Sequence, residues 1–121
     1  MNSSRQNLVV LRGVLVAEPQ ERTLPTGAVA VQFDVRTALG DAGDGAVATV
    51  PVSRIDPSPN DRASLEVGAD IVVIGAVCRR FFRVGGATQS RTEVVAEVIV
   101  PRRRTRSVRS AIARAVDSLG E

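Results

Sequence analysis

The sequence contains no histidine, no lysine, no tryptophan and no tyrosine, and it has a single cysteine in 121 residues. Without histidine, a His-ligated zinc site or a His-based catalytic dyad is out of reach. The lone Cys78 cannot close an intramolecular disulfide, and in VIGAVCRR it reads as a small strand residue. No apolar run approaches the roughly 18 residues a membrane span needs. The start, MNSSRQN, lacks the apolar segment of a secretory signal, so the chain is expected in the cytoplasm and away from membranes. No paired acid motif or activated nucleophile is visible. The glycines of VGGATQS do not make a GxxxxGK[ST] phosphate loop, and GDAGDG lacks the ligand spacing of an EF-hand. These absences point away from an enzyme and away from any metal or cofactor.

What is present is an ordinary soluble core composition, 44% apolar, in a length that suits one domain. The charge is informative by location. Residues 1–101 carry ten arginines against eleven acids, whereas residues 102–121 carry six arginines against two. All the net positive charge therefore lies in the tail. Arginine binds phosphate bidentately and stacks on bases, but a GC-rich genome also favours its codons, so the missing lysine carries no argument.

Strand periodicity dominates residues 7–101. NLVVLRGVLVAEP is an apolar run interrupted at Arg12-Gly13, where a small residue permits the sharp coil of a first strand. LPTG makes a turn, with Pro25 suited to its second position and Gly27 to a positive φ. AVAVQFDVRTA alternates, with Val29, Val31, Phe33 and Val35 on one face and Ala30, Gln32, Asp34 and Arg36 on the other. GDAGDG reads as a flexible connection. AVATVPVS is a third strand in which Pro51 argues for an edge or a bulge. DPSPNDRASLEVG holds at most one or two helical turns. ADIVVIGAVCRRFFR is a long strand, VGGATQS a flexible loop, and RTEVVAEVIVP a last strand ended by Pro101. Five strands with one short central break predict an all-β closed barrel over residues 1–101.

Residues 102–121 form a basic tail of a different kind. Val108, Ala111, Ile112, Ala115, Val116 and Leu119 recur at helical spacing, which predicts a short C-terminal amphipathic helix. Ser107 is a plausible N-cap, while arginines at the start and Asp117 near the end oppose the helix dipole. Such a helix is marginal alone and needs the barrel, a second subunit or a polyanion against it.

Three blocks resemble the bacterial single-stranded DNA-binding protein family. Gly13, Leu15, Pro19, Arg22, Pro25 and Gly27 meet one family spacing without a gap. Leu65, Gly68, Val73 and Gly75 resemble the run into its fourth strand, and SRTEVVAEVIV resembles its closing strand. The likeness spans about residues 7–100. It implies an oligonucleotide/oligosaccharide-binding (OB) barrel that assembles into a dimer or tetramer. It also implies sequence-nonspecific binding of single-stranded DNA or RNA, in replication, recombination or repair, through basic side chains and stacked aromatics.

The departures from the family are as informative. Phe33 falls on the apolar face of its strand and reads as core, which leaves only Phe81 and Phe82 for stacking. Strand alternation sends these neighbours to opposite faces, so one is expected to stack and the other to serve core or interface. Arg79, Arg80 and Arg83 flank them, with Arg91 at the far end of the same loop, a basic cluster with aromatic interleaving. Arg36 and Arg54 are further single-strand candidates. In the tail, Arg102, Arg103, Arg104, Arg106 and Arg109 replace the acidic tip usual in the family. The competing expectation is an OB-fold module for assembly or protein interaction, with weakened nucleic-acid binding.

Overall fold

The computed structural model describes residues 5–40 and 45–119. Residues 41–44 of the GDAGDG connection, the first four residues of the start and the last two of the tail lie outside the described residues. Six strands and two helices follow in the order β1 Val9–Leu15, β2 Gln20–Thr23, β3 Val29–Ala38, β4 Val47–Ile55, α1 Pro59–Ser64, β5 Asp70–Val84, β6 Ala87–Pro101 and α2 Thr105–Asp117.

The sheet runs β1-β5-β6-β4-β3-β2, and a further pairing of β1 with β3 closes β1, β5, β6, β4 and β3 into a five-stranded barrel. The β4–β6 contact is the parallel one, Val52 beside Val94 and Ser53 beside Val95. With α1 between β4 and β5, this is an OB barrel with one extra short strand and a C-terminal helix.

The alternating valines build the core as their period demands. Leu15, Val31, Phe33, Val35, Val52, Val73 and Val94 are buried in one cluster. Gly13 and Gly75 sit where backbones meet. A Cβ at Gly13 would lie 2.3 Å from the Arg36 carbonyl oxygen, and one at Gly75 would lie 2.0 Å from that of Val95. Pro51 costs the sheet nothing. Its partner Asp34 turns its carbonyl to the Val16 amide, so Pro51 faces Asp34 at a position that asks no donor of it.

The structure adds one strand and corrects two expectations. The first run holds one strand, ending at Leu15, and a further short strand, β2, follows it before the LPTG turn; its four residues are all exposed, so no apolar alternation announced it. VGGATQS is not a loop. Only Gly85 and Gly86 turn, with φ of 57° and 84°, while Ala87 to Ser90 extend β6. Two positive φ values suit a two-residue hairpin turn whose twist matches the flanking strands. The tail helix begins at Thr105 with Arg104 at its N-cap and no side-chain cap, which places Ser107 inside the first turn.

Helix α1 is fixed by a capping box. The Ser58 hydroxyl accepts from the Asp61 amide, and the Asp61 carboxylate accepts from the Ser58 amide. Arg54 Nε donates to the same carboxylate at 3.0 Å and Arg54 Nη1 to the Ala96 carbonyl at 3.2 Å, which lashes the helix to β4 and β6. Leu65, just beyond, enters the core.

Burial pushes the Asp61 carboxyl up, but the Ser58 amide and the hydrogen bond and charge of Arg54 outweigh it and hold the pKa below its ordinary value of 3.8. A depressed folded pKa stabilises the fold above the unfolded value and loses that contribution as pH falls through the folded one. Asp61→Asn is therefore expected to cost about 1–2 kcal/mol at neutral pH. The gap to the native chain should narrow as both are acidified below pH 3.8. Urea titrations at pH 7 and pH 3 check this, and a gap that stays constant contradicts it.

Candidate nucleic-acid interface

The β5–β6 hairpin is longer than the barrel needs. Val9 pairs with Gly75 at the end of β1, and two residues further out the Asn7 side-chain amide takes both backbone groups of Val77, at 2.7 and 3.0 Å. Beyond that point β5 has only β6 for a partner. The hairpin leaves the barrel as a two-stranded ribbon, and residues 79–92 are all exposed. Strand alternation gives the ribbon two faces.

One face carries Arg79, Phe81 and Arg83, opposite Thr92, Ser90 and Thr88. Phe81 is 67% exposed. The Arg79 guanidinium stands 5.3 Å from its ring centroid, within cation–π range, and donates to the Ser90 hydroxyl at 3.0 Å. Arg83 donates to the Gly86 carbonyl at 2.9 Å. No carboxylate of the described residues pairs with either arginine, so both keep their full charge toward solvent.

The other face carries Arg80 and Phe82, opposite Arg91 and Gln89, and continues into the outer surface of β3 and β4 around Gln32 and Ser53. Here an acid intervenes. Glu93, 1% exposed, accepts from Arg80 Nε at 2.5 Å and lies 3.7 Å from Arg91 Nε. The hydrogen bond to Glu93 raises the Arg80 pKa above its ordinary value, outweighing the opposing effect of burial.

The structure thus divides the residues that the sequence grouped. Arg91 is not at the end of a loop but directly across the ribbon from Arg80. Phe82, expected in core or interface if Phe81 stacks, is 42% exposed and outside the core of this chain. Arg54 points under α1, where its guanidinium is engaged by Asp61 and Ala96, and it leaves the site. Arg36 is exposed on the outer face of β3, four residues beyond Gln32, beside Arg12 and Asp70.

Arg102, Arg103, Arg104, Arg106 and Arg109 are exposed and form no ion pair among the described residues. They lie at the opposite end of β6. Ser90 and Arg102 are twelve residue steps apart, about 40 Å of extended contour. Helix α2 rests on β5 and β6 through half-buried Val108, Ala111, Ile112 and Ala115, leaving Val116 and Leu119 exposed. No helix of the described residues is long and apolar enough to cross a membrane.

The sequence alone did not single out Glu93 or Gln32. Both lie in ordinary alternating strands, and only cross-strand register brings them together.

An OB barrel carrying a solvent-exposed ribbon of arginine and phenylalanine defines the class of molecule that the geometry describes. No protein-family model matches the chain, and no curated protein matches it.

Because both ribbon phenylalanines are exposed, Phe81→Ala and Phe82→Ala are each expected to leave the unfolding midpoint within about 0.5 kcal/mol of the native chain. Thermal melts of the two variants check this. A loss of several degrees in either would mean that its ring is buried in an assembled form.

Proposed function

We propose that the chain binds single-stranded DNA or RNA with little regard to sequence, and acts in replication, recombination or repair in the cytoplasm, as the family resemblance implies. The observation that best supports this is the acid-free ribbon face, where an exposed Phe81 lies against Arg79 with Arg83 two residues beyond. A nucleobase stacked on such a ring is worth about 1–3 kcal/mol, whichever base it is. Adjacent guanidinium groups hold phosphates and release their counterions. The tail arginines form a second cationic surface that a longer strand reaches after leaving the ribbon.

Self-association belongs to the same proposal. Val9 to Leu11 pair with β5 on one edge only, and Val10, Val14 and Val16 are 38–44% exposed on and just after β1. An open edge with apolar neighbours favours pairing with a second copy. These features equally serve the alternative reading, an assembly or protein-interaction module with weakened nucleic-acid binding. Affinity for a single strand separates the two.

Fluorescence anisotropy with labelled oligo-dT at several salt concentrations tests the proposal. Each phosphate contact on a single strand contributes about 0.7 to the slope of log K against log salt. Arg79→Ser with Arg83→Ser should lower the slope by about 1.4. Removing residues 102–121 should lower it by roughly 1.4–2.8 for long oligomers, if two to four tail arginines reach phosphates. The truncation should leave it unchanged for oligomers near the short end of the ~4–16 nucleotides that an OB barrel covers. Binding that ignores salt and both changes would leave the assembly reading in place.

A further inference from the structure

The outer face beside the ribbon holds a buried acceptor that no group of the described residues satisfies. Glu93 Oε2 accepts from the Ser53 hydroxyl at 3.1 Å and from Arg80 Nε at 2.5 Å. Its Oε1 is buried without a hydrogen-bond partner, and Arg91 Nε, at 3.7 Å, is too far to donate. A buried carboxylate oxygen lacking a donor is costly, and such groups in native folds call for an explanation.

The surroundings suit a ligand that brings an N–H. Glu93 lines a pocket of about 30 Å³ with Gln32 and Ser53, room for one amine-sized group. Gln32 also borders a neighbouring cleft of about 260 Å³ that has Arg91 on its wall. The Arg91 side chain is 41% exposed, forms no hydrogen bond to Glu93, and can turn its planar guanidinium onto a ring. Arg22 and Arg80 line the same pocket, but Oε1 is an acceptor, which a donor N–H meets and a phosphate oxygen does not.

We propose that Glu93 Oε1 reads a nucleobase, accepting a hydrogen bond from an exocyclic amine while the ring rests against Arg91. This one position then favours cytosine, adenine or guanine over thymine and uracil. A carboxylate accepts from the cytosine N4 amine, whereas thymine presents O4 at the same place, an acceptor facing an acceptor. The inference rests on the nucleic-acid reading of the ribbon and adds a preference to it.

The test uses the native chain and two labelled oligomers of equal length, one of thymidine and one of 5-methyl-deoxycytidine, at pH 7.5. Both carry the same phosphates and the same ring methyl; they differ in the group at position 4, an amine against a carbonyl, and with it at N3, an acceptor against an N–H. The 5-methyl-deoxycytidine strand should bind about tenfold more tightly, the worth of one hydrogen bond to a charged group. The salt slopes should be equal, because the phosphate contacts are the same.

In Glu93→Gln, Arg80 still requires an acceptor, so the carboxamide oxygen takes the place of Oε2 and its NH2 that of Oε1. The preference should then vanish or pass to thymidine. Equal affinities in the native chain, as when solvent alone satisfies Oε1, overturn the inference while leaving the function in place, and so does a Glu93→Gln variant that keeps the preference. Binding to neither strand overturns the nucleic-acid reading and this inference with it. The native comparison decides the matter even where the variant does not fold.

Discussion

The register of β5 against β6 determines where every charged group of the ribbon points. It is pinned at the tip by the Gly85-Gly86 turn, which sets Val84 opposite Ala87, and near the barrel by an irregularity between Ile74 and Gly75. There β6 carries one residue more than β5, so that Ile74 faces Val98 and Gly75 faces Ala96, and the extra residue, Glu97, pairs with Arg5. Gly75 admits no side chain at this point, because the Val95 carbonyl occupies the space. A slip of one residue would reverse both faces of β5 relative to β6. Arg79 and Arg83 would then share a face with Glu93, and the acid-free surface would be lost.

From that register follows a division of charge that the net value of +3 conceals. Two arginines of the ribbon stand beside an exposed aromatic ring with no acid to neutralise them. The other two bracket a buried carboxylate, which converts a phosphate-attracting surface into one with a hydrogen-bonding pattern of its own. The tail carries its arginines at the far end of β6, on a helix that lacks both a side-chain cap and an acid in its first turn. Packing on β5 and β6 therefore holds that helix, and its charge remains available.

Much of the barrel was legible in the sequence because strand alternation and burial are the same fact. Val31, Phe33 and Val35 are buried as their spacing requires. Most of the residues that carry the family resemblance turn out to be those the barrel itself needs. Leu15, Leu65 and Val73 lie in the core, Gly13 and Gly75 permit close approach, and Gly27 and Gly68 have positive φ. These report the fold, whereas Arg22 of the same block lines the pocket that holds Glu93. The site was less legible, for reasons that can be named. Paired glycines suit a mobile loop and a tight hairpin turn alike, so the ribbon was hidden. Arg54 resembles any exposed basic residue until Asp61, seven residues on in another element, is brought against it. Glu93 sits in an unremarkable apolar strand, and its partners Ser53 and Arg80 come from two other strands.

The central claim is that the ribbon, and the outer face it adjoins, is the surface that meets a single strand. Amide chemical-shift mapping of the isotope-labelled chain against an unlabelled short oligonucleotide tests it most directly. The account predicts that the shifts concentrate in residues 79–92, with Gln32, Ser53 and Glu93 beside them, and that the open edge of β1 and the surface around α2 stay still. Shifts confined to β1 or α2, with the ribbon unmoved, would contradict it.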